Sequence, residues 1–170
     1  MIRAARPGEL AQISALEKSG ERLFRAAGMD RVADAPAPDP DGYRLALAAG
    51  RLLVAAGDHD GPVGFIRLEV LGGDLHVEQV SVHPEQAGRG IGAALLAVAE
   101  QLGRDRGHDR ITMTTFRDVP WNGPYYARLG WSALPDADLT PELAAVRRAE
   151  RELGFDEWPR QAMVKDLREP

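Results

Sequence analysis

The chain contains no cysteine, which excludes disulfides, thiolate metal sites and a cysteine nucleophile together and fits a reducing compartment. Histidine is scarce: His59, His76, His83 and His108 stand singly, and without an HExxH or HxH pair no metal is expected. Positive charge is not in excess either. A formal net charge of −5 disfavours a surface that binds phosphate backbones, so nucleic acid is not an expected partner. No run approaches the roughly 18 apolar residues of a membrane span, and the opening MIRAARPGEL has no apolar h-region. The expectation is therefore no membrane association and a cytoplasmic location. What is there is ordinary for a folded chain: 170 residues, 44% hydrophobic and 28% charged, are read as one domain over residues 1–170.

Ile2 to Ala4 reads as a short edge strand ended by Pro7-Gly8. Leu10, Ile13, Leu16 and Phe24 recur at helical spacing, interrupted at Ser19-Gly20 and stopped at Gly28, which predicts two short helices with a break. Residues 31–42, with three prolines, read as a loop, and Tyr43 to Ala49 as a helical turn or two. Leu52 to Ala56, Val63 to Val70 and Leu75 to Val82 are strand-like runs joined by the glycine turns Gly57 to Gly61 and Gly72-Gly73-Asp74, an antiparallel meander.

The third run changes parity. Leu75 and Val77 are apolar at odd positions, Val80 and Val82 at even ones, so one extra residue near Glu78-Gln79 would keep both pairs on one face. That describes a β-bulge, a device common beside active sites; a strand buried on both faces is the alternative. After His83-Pro84, where a turn role suits the histidine, Ile91, Leu95, Val98, Ala99 and Leu102 define a helix stopped near Gly107. Ile111 to Phe116 follows as a strand, parallel to the preceding one if the helix is a crossover. Asn122-Gly123-Pro124 caps and starts a short helix to Leu129, and Thr140-Pro141-Glu142 caps another with Leu143, Val146 and Leu153 on one face, stopped by Gly154. Ala162 to Leu167 is the last strand.

Gly88-Arg89-Gly90-Ile91-Gly92, between a strand and a helix, offers backbone N–H groups with no Cβ in the way at the positive end of a helix dipole, a cradle for a pyrophosphate. A tight turn alone would also use glycines. With Ala93 the run satisfies the dinucleotide pattern G-x-G-x-x-[GA], so an NAD(P) oxidoreductase has to be weighed. Against it stand some six residues between the strand and the first glycine, the lack of an acidic residue at the end of the next strand, and three preceding meander strands in place of one.

The run VEQVSVHPEQAGRGIGAALL, with NGPYYARLGW some thirty residues later, resembles the GNAT superfamily of acetyl-coenzyme A-dependent N-acetyltransferases over roughly residues 50–131. The resemblance implies an α+β three-layer fold: a mixed, mostly antiparallel sheet with a bulged fourth strand and helices on both faces. The family's loop pattern [RQ]-x-x-G-x-[GA] falls on Ala87, Gly88, Arg89, Gly90, Ile91 and Gly92, with Ala87 in place of the side chain that contacts pyrophosphate. By the same resemblance acetyl-CoA is the cosubstrate, bound by Val80, Ser81 and Val82 as an added strand, by Ala87 to Ala93, and by Asn122 and Tyr126. A bulge would splay the strand from Ile111 to Phe116 and leave an N–H near Val80 for the thioester carbonyl.

Acetyl transfer to an amine needs a base, because an alkylamine with a pKa of about 10 is mostly ammonium at neutral pH, and the departing thiolate needs a proton. Glu78 is the candidate base and Tyr126, in the family's Y-x-x-x-G-[FW] pattern, the candidate acid; a solvent-facing strand residue and a core aromatic are the plainer readings. The first two helices and the segment after the fifth strand wall the acceptor pocket in this family, about residues 17–43 and 117–121. Glu17, Glu21, Asp30, Asp118 and Trp121 lie there and could receive a cation, so a small-molecule primary amine is the expected acceptor. The fit to the family leaves a homodimer open. The non-catalytic alternative is an acyl-CoA sensor; the presence of both Glu78 and Tyr126 favours catalysis.

Overall fold

The computed structural model describes residues 1–35 and 40–168. Seven strands form one mixed sheet in the order β1-β2-β3-β4-β5-β7-β6, with helices on both faces. The strands are β1 (Ile2–Ala4), β2 (Leu52–Ala56), β3 (Pro62–Leu71), β4 (Asp74–Val82), β5 (Arg110–Phe116), β6 (Ser132–Leu134) and β7 (Arg160–Asp166). The helices are α1 (Leu10–Ala26), α2 (Asp30–Ala33), α3 (Pro40–Ala48), α4 (Ile91–Asp105), α5 (Gly123–Arg128) and α6 (Pro141–Glu152). The chain resolves into two compact units, Met1–Glu69 with Glu78–Ala99, and Val70–Val77 with Glu100–Pro170.

In the first unit β1 and β3 flank β2 antiparallel, the β2–β3 pair as the tight turn predicts, and Gly57 N–H closes that hairpin on Gly61 C=O at 2.9 Å. A register shift between Ala55 and Ala56, which pair with Gly64 and Pro62, puts a bulge in this hairpin that the strand pattern did not announce. The core of the unit joins Ile13 and Leu16 of α1, Tyr43 and Ala46 of α3, and Leu52, Val54 and Phe65 of the strands. Phe65 is fully buried, which by its size is worth about 1.5–3 kcal/mol relative to exposure.

Two readings of this region are corrected. α1 runs unbroken through Ser19-Gly20: a lone glycine costs about 1 kcal/mol of helix propensity, and the tertiary contacts of Ile13 and Leu16 override it. The Ser19 hydroxyl is satisfied by donating to Leu16 C=O at 2.6 Å. The loop read over 31–42 is helical at both described ends, in α2 and in α3, which starts at Pro40 because proline suits a first helical turn; residues 36–39 lie outside the described residues.

In the second unit β4 pairs parallel with β5 from Leu75↔Ile111 to Val77↔Met113, the crossover that α4 predicts. β5 continues beyond that point against antiparallel β7, as far as Phe116↔Arg160. Leu75, His76 and Val77 are all buried, and the registered pairing with β5 ends at Val77, one residue before the place expected to bulge. Strand β6 has no counterpart among the expected strands; its three residues pair with Ala162 to Val164 at the edge of the sheet. Thr140 caps α6 as expected, its hydroxyl accepting from Leu143 N–H at 3.2 Å. Leu143 is buried in that helix, whereas Leu153, assigned to the same face, is 48% exposed because the helix ends at Glu152.

Candidate active site

The glycine turn takes its shape from backbone chemistry. Gly88 and Gly90 have φ of +77° and +75°, a left-handed conformation that costs other L-residues about 1–2 kcal/mol. A Cβ built on either would meet nothing within 4 Å, so no neighbouring side chain demands these glycines; the conformation does. Gly90 C=O accepts from Ala94 N–H at 2.9 Å and thereby opens α4, a 15-residue helix with enough length to carry a dipole. Ala87, Arg89 and the glycines are exposed. His83 makes the turn before them: its Nδ1 accepts from Glu85 N–H at 3.3 Å. Strand β3 approaches the end of β4 at Gly64, where a Cβ would lie 3.1 Å from Ser81 C=O and 3.3 Å from Ile91 Cγ2.

Glu78 also belongs to the first unit, and its side chain is two-thirds buried. Its Oε1 accepts from Arg67 Nη2 at 2.5 Å. Burial pushes its carboxyl above the usual carboxylate range, the Arg67 charge pulls the other way, and Glu69 and Glu17 add to the rise. Arg67 lies over the Tyr43 ring, 5.0 Å from the centroid, and the Tyr43 hydroxyl donates to Glu17. Burial raises the Glu17 carboxyl and, with Glu17 beside it, the Tyr43 phenol. Glu17, Tyr43, Arg67 and Glu78 thus form one contiguous network in this unit. Arg67 and Tyr43 had no assigned role in the sequence; the available signal was a cation in the apolar run Val63 to Val70, which a solvent-facing position would have explained equally. Of the other acidic candidates, Asp30 is exposed and paired with Arg25 at 3.6 Å, while Glu21 is half-buried.

Tyr126, Asn122, Asp118 and Trp121 belong to the second unit. Tyr126 is buried, packed edge-to-face on Tyr125 at 5.4 Å and tilted against Trp131 at 6.5 Å. Burial raises its phenol, which therefore stays protonated and able to donate at any ordinary pH. The Asn122 side chain does not cap α5. Its Oδ1 accepts from Thr115 Oγ1 at 2.9 Å and from Phe116 N–H at 3.5 Å, because Gly123 draws the helix start against Arg117 C=O, where a Cβ would come within 2.5 Å. Asp118 is exposed in an ion pair with Arg117 at 2.8 Å, and Trp121 is 36% exposed. Phe116 is buried, with the Arg160 guanidinium 4.3 Å from its ring centroid.

Strand β4, the glycine turn, helix α4 and strand β5, parallel to β4, follow one another within the mixed sheet. Residues 18–131 match the model of the acetyltransferase (GNAT) family, and the chain belongs to that family. A mycothiol acetyltransferase from Clavibacter michiganensis is 37% identical over 117 residues, 68% of this chain and 34% of that protein, so the chain spans about a third of that relative's length. An acetyltransferase of the GNAT family from Staphylococcus aureus shares the fold with a TM-score of 0.75 at 17% identity, over 99% of each chain. A GNAT family acetyltransferase from Brucella melitensis, solved in complex with acetyl-CoA, is 26% identical with a TM-score of 0.58, covering 78% of this chain and 82% of that one. The mixed sheet and the family together overturn the NAD(P) oxidoreductase reading, which requires a doubly wound parallel sheet.

Proposed function

We propose that residues 1–170 act as one catalytic domain that moves an acetyl group from acetyl-CoA to the amine of a small molecule, by direct attack in a ternary complex. The observation that carries this reading is Glu78: a partly buried carboxylate with one oxygen held by Arg67 and an elevated pKa, which suits a base for an ammonium. The residues fit the coenzyme on the chemistry of the donor set. Left-handed Gly88 and Gly90 at the start of α4 carry backbone N–H groups with no Cβ to obstruct a pyrophosphate. Val80, Ser81 and Val82 are assigned to the pantetheine arm and Ala87 to Ala93 to the phosphates. Asn122 contributes through the β5–α5 turn that it ties together. The coenzyme, when bound, supplies an activated thioester.

In this assignment Glu78 takes the proton from the amine nitrogen, directly or through a water, and the Tyr126 hydroxyl donates to the departing sulfur. The N–C bond forms as the C–S bond breaks, and the second proton that the nitrogen sheds on becoming an amide passes to solvent, which returns a proton to Tyr126. Glu17, Glu21, Asp118 and Trp121 are the proposed acceptor contacts, and their net negative charge favours a cationic amine over an acidic one.

A panel of amines assayed by release of free coenzyme thiol tests the reading, with Glu78→Gln measured across pH 6–10. Turnover of at least one amine and a fall in kcat of about 10²- to 10⁴-fold in Glu78→Gln are expected, with loss of the acidic limb of kcat/KM. Coenzyme binding without thiol release from any amine would favour an acyl-CoA sensor. An unaltered pH profile in a folded Glu78→Gln would remove Glu78 as the base.

A further inference from the structure

We infer that Arg67, clamped between Gly42 and Tyr43, is a positioning residue that holds Glu78 in a single orientation with one carboxylate oxygen tied and the other presented to the acceptor. The inference rests on the proposed role of Glu78 as base and adds what fixes that base. Arg67 Nη2 donates to Glu78 Oε1 at 2.5 Å, and among the described residues no partner is recorded for Oε2. Arg67 is itself confined on every side the structure describes. Its guanidinium faces the Tyr43 ring at 5.0 Å, and the ring is anchored by its hydroxyl on Glu17 and by packing on Phe65, with centroids 6.1 Å apart. Its Nη1 is buried without a hydrogen-bond partner and lies so near Gly42 that a Cβ there would come within 2.7 Å. Leaving a guanidinium nitrogen unpaired in the interior is costly. The arrangement is explained if Arg67 is kept for what its other end does to Glu78.

The charged and titratable groups facing Glu78 are Arg67 and Glu69 from β3, Glu17 from α1 and Tyr43 from α3. On β4 itself His76, two residues earlier, is held near pKa 4 by burial and is neutral under assay conditions. Arg67 is thus the cation that opposes the burial of Glu78, and displacing it leaves burial and the neighbouring carboxylates unopposed.

Gly42 provides the discriminating variant. It lies inside α3 with an ordinary helical φ, so Gly42→Ala should favour the helix, while its methyl must push Nη1, the end of a side chain, away. The experiment is a carboxyl-carbon NMR titration of the coenzyme-free protein, with Glu78→Gln to assign the resonance, alongside pH–rate profiles. Arg67→Met is expected to raise the Glu78 midpoint by about 1–3 pH units, the usual effect of losing an adjacent opposite charge. Gly42→Ala is expected to raise it in the same direction with thermal stability kept, and Arg67→Lys, which keeps a cation, to raise it less than Arg67→Met. An unmoved Glu78 midpoint in folded Gly42→Ala and Arg67→Met overturns the inference. Failure of the base itself reads differently: the titration would shift as expected while the acidic limb of kcat/KM survived in Glu78→Gln.

Discussion

Replacing Gly90 by aspartate tests the phosphate cradle most directly. The position has φ +75° and open space where a Cβ would go, so the variant suffers conformational strain and no collision. That strain is about 1–2 kcal/mol for an average residue and less for Asp or Asn, which tolerate left-handed backbone. For a chain of this size it lowers Tm by about 2–4 °C per kcal/mol. The carboxylate also sits at the positive end of α4, which offsets part of the loss. The effect on a bound pyrophosphate is larger. One negative charge about 4 Å from another costs about 4 kcal/mol at an effective dielectric constant of about 20, which is roughly 10³-fold in affinity. Gly90→Asn matches the shape and the strain without the charge, so the difference between the two variants isolates the electrostatic part. Calorimetric titration of both with acetyl-CoA, with melts to establish folding, reads it out. A folded Gly90→Asp that binds within a few-fold of Gly90→Asn would refute the assignment of this turn to phosphate.

Ala87→Arg returns a long cationic side chain to an exposed position beside the turn and is expected to lower the Kd for acetyl-CoA several-fold at low salt, an effect that added salt should erase in the same calorimetric titration. Tyr126→Phe keeps the ring packing on Tyr125 and Trp131, so its Tm is expected within a few degrees of wild type while kcat falls at least tenfold and coenzyme affinity holds; a stability loss without a kinetic one would make Tyr126 a core aromatic only. His76 predicts the acid behaviour of the fold. Burial lowers its pKa from 6.5 to about 4, so the unfolded chain takes up a proton that the folded chain does not, and stability falls as pH drops through that window. At 1.36 kcal/mol per pH unit the loss is about 3 kcal/mol by pH 4, and urea melts from pH 4 to 7 should show that slope vanish in His76→Gln.

Local signals in the sequence were enough to read the meander, the crossover helix and the glycine turn. Strand runs bounded by glycines, a 3.6-residue apolar period from Ile91, and Gly88 and Gly90 at a strand–helix junction each follow from backbone preferences that act over a few residues. What failed was decided by packing at longer range. α1 survives Ser19-Gly20 because Ile13 and Leu16 are buried against Leu52, Val54 and Phe65, more than thirty residues away. Nothing within Ser132 to Leu134 marks a strand until β7 offers an edge to pair with, and Asn122 gives up its capping role because Gly123 is pressed on Arg117 C=O. The same division runs through the site. Glu78 could be picked out as a carboxylate on an apolar strand, but its raised pKa comes from burial and its tied oxygen from Arg67 eleven residues before it, and Arg67 depends in turn on Tyr43, Gly42 and Glu17. Those residues are separated along the chain, and Coulomb and desolvation energies depend on distances in space, so only the tertiary structure could set them.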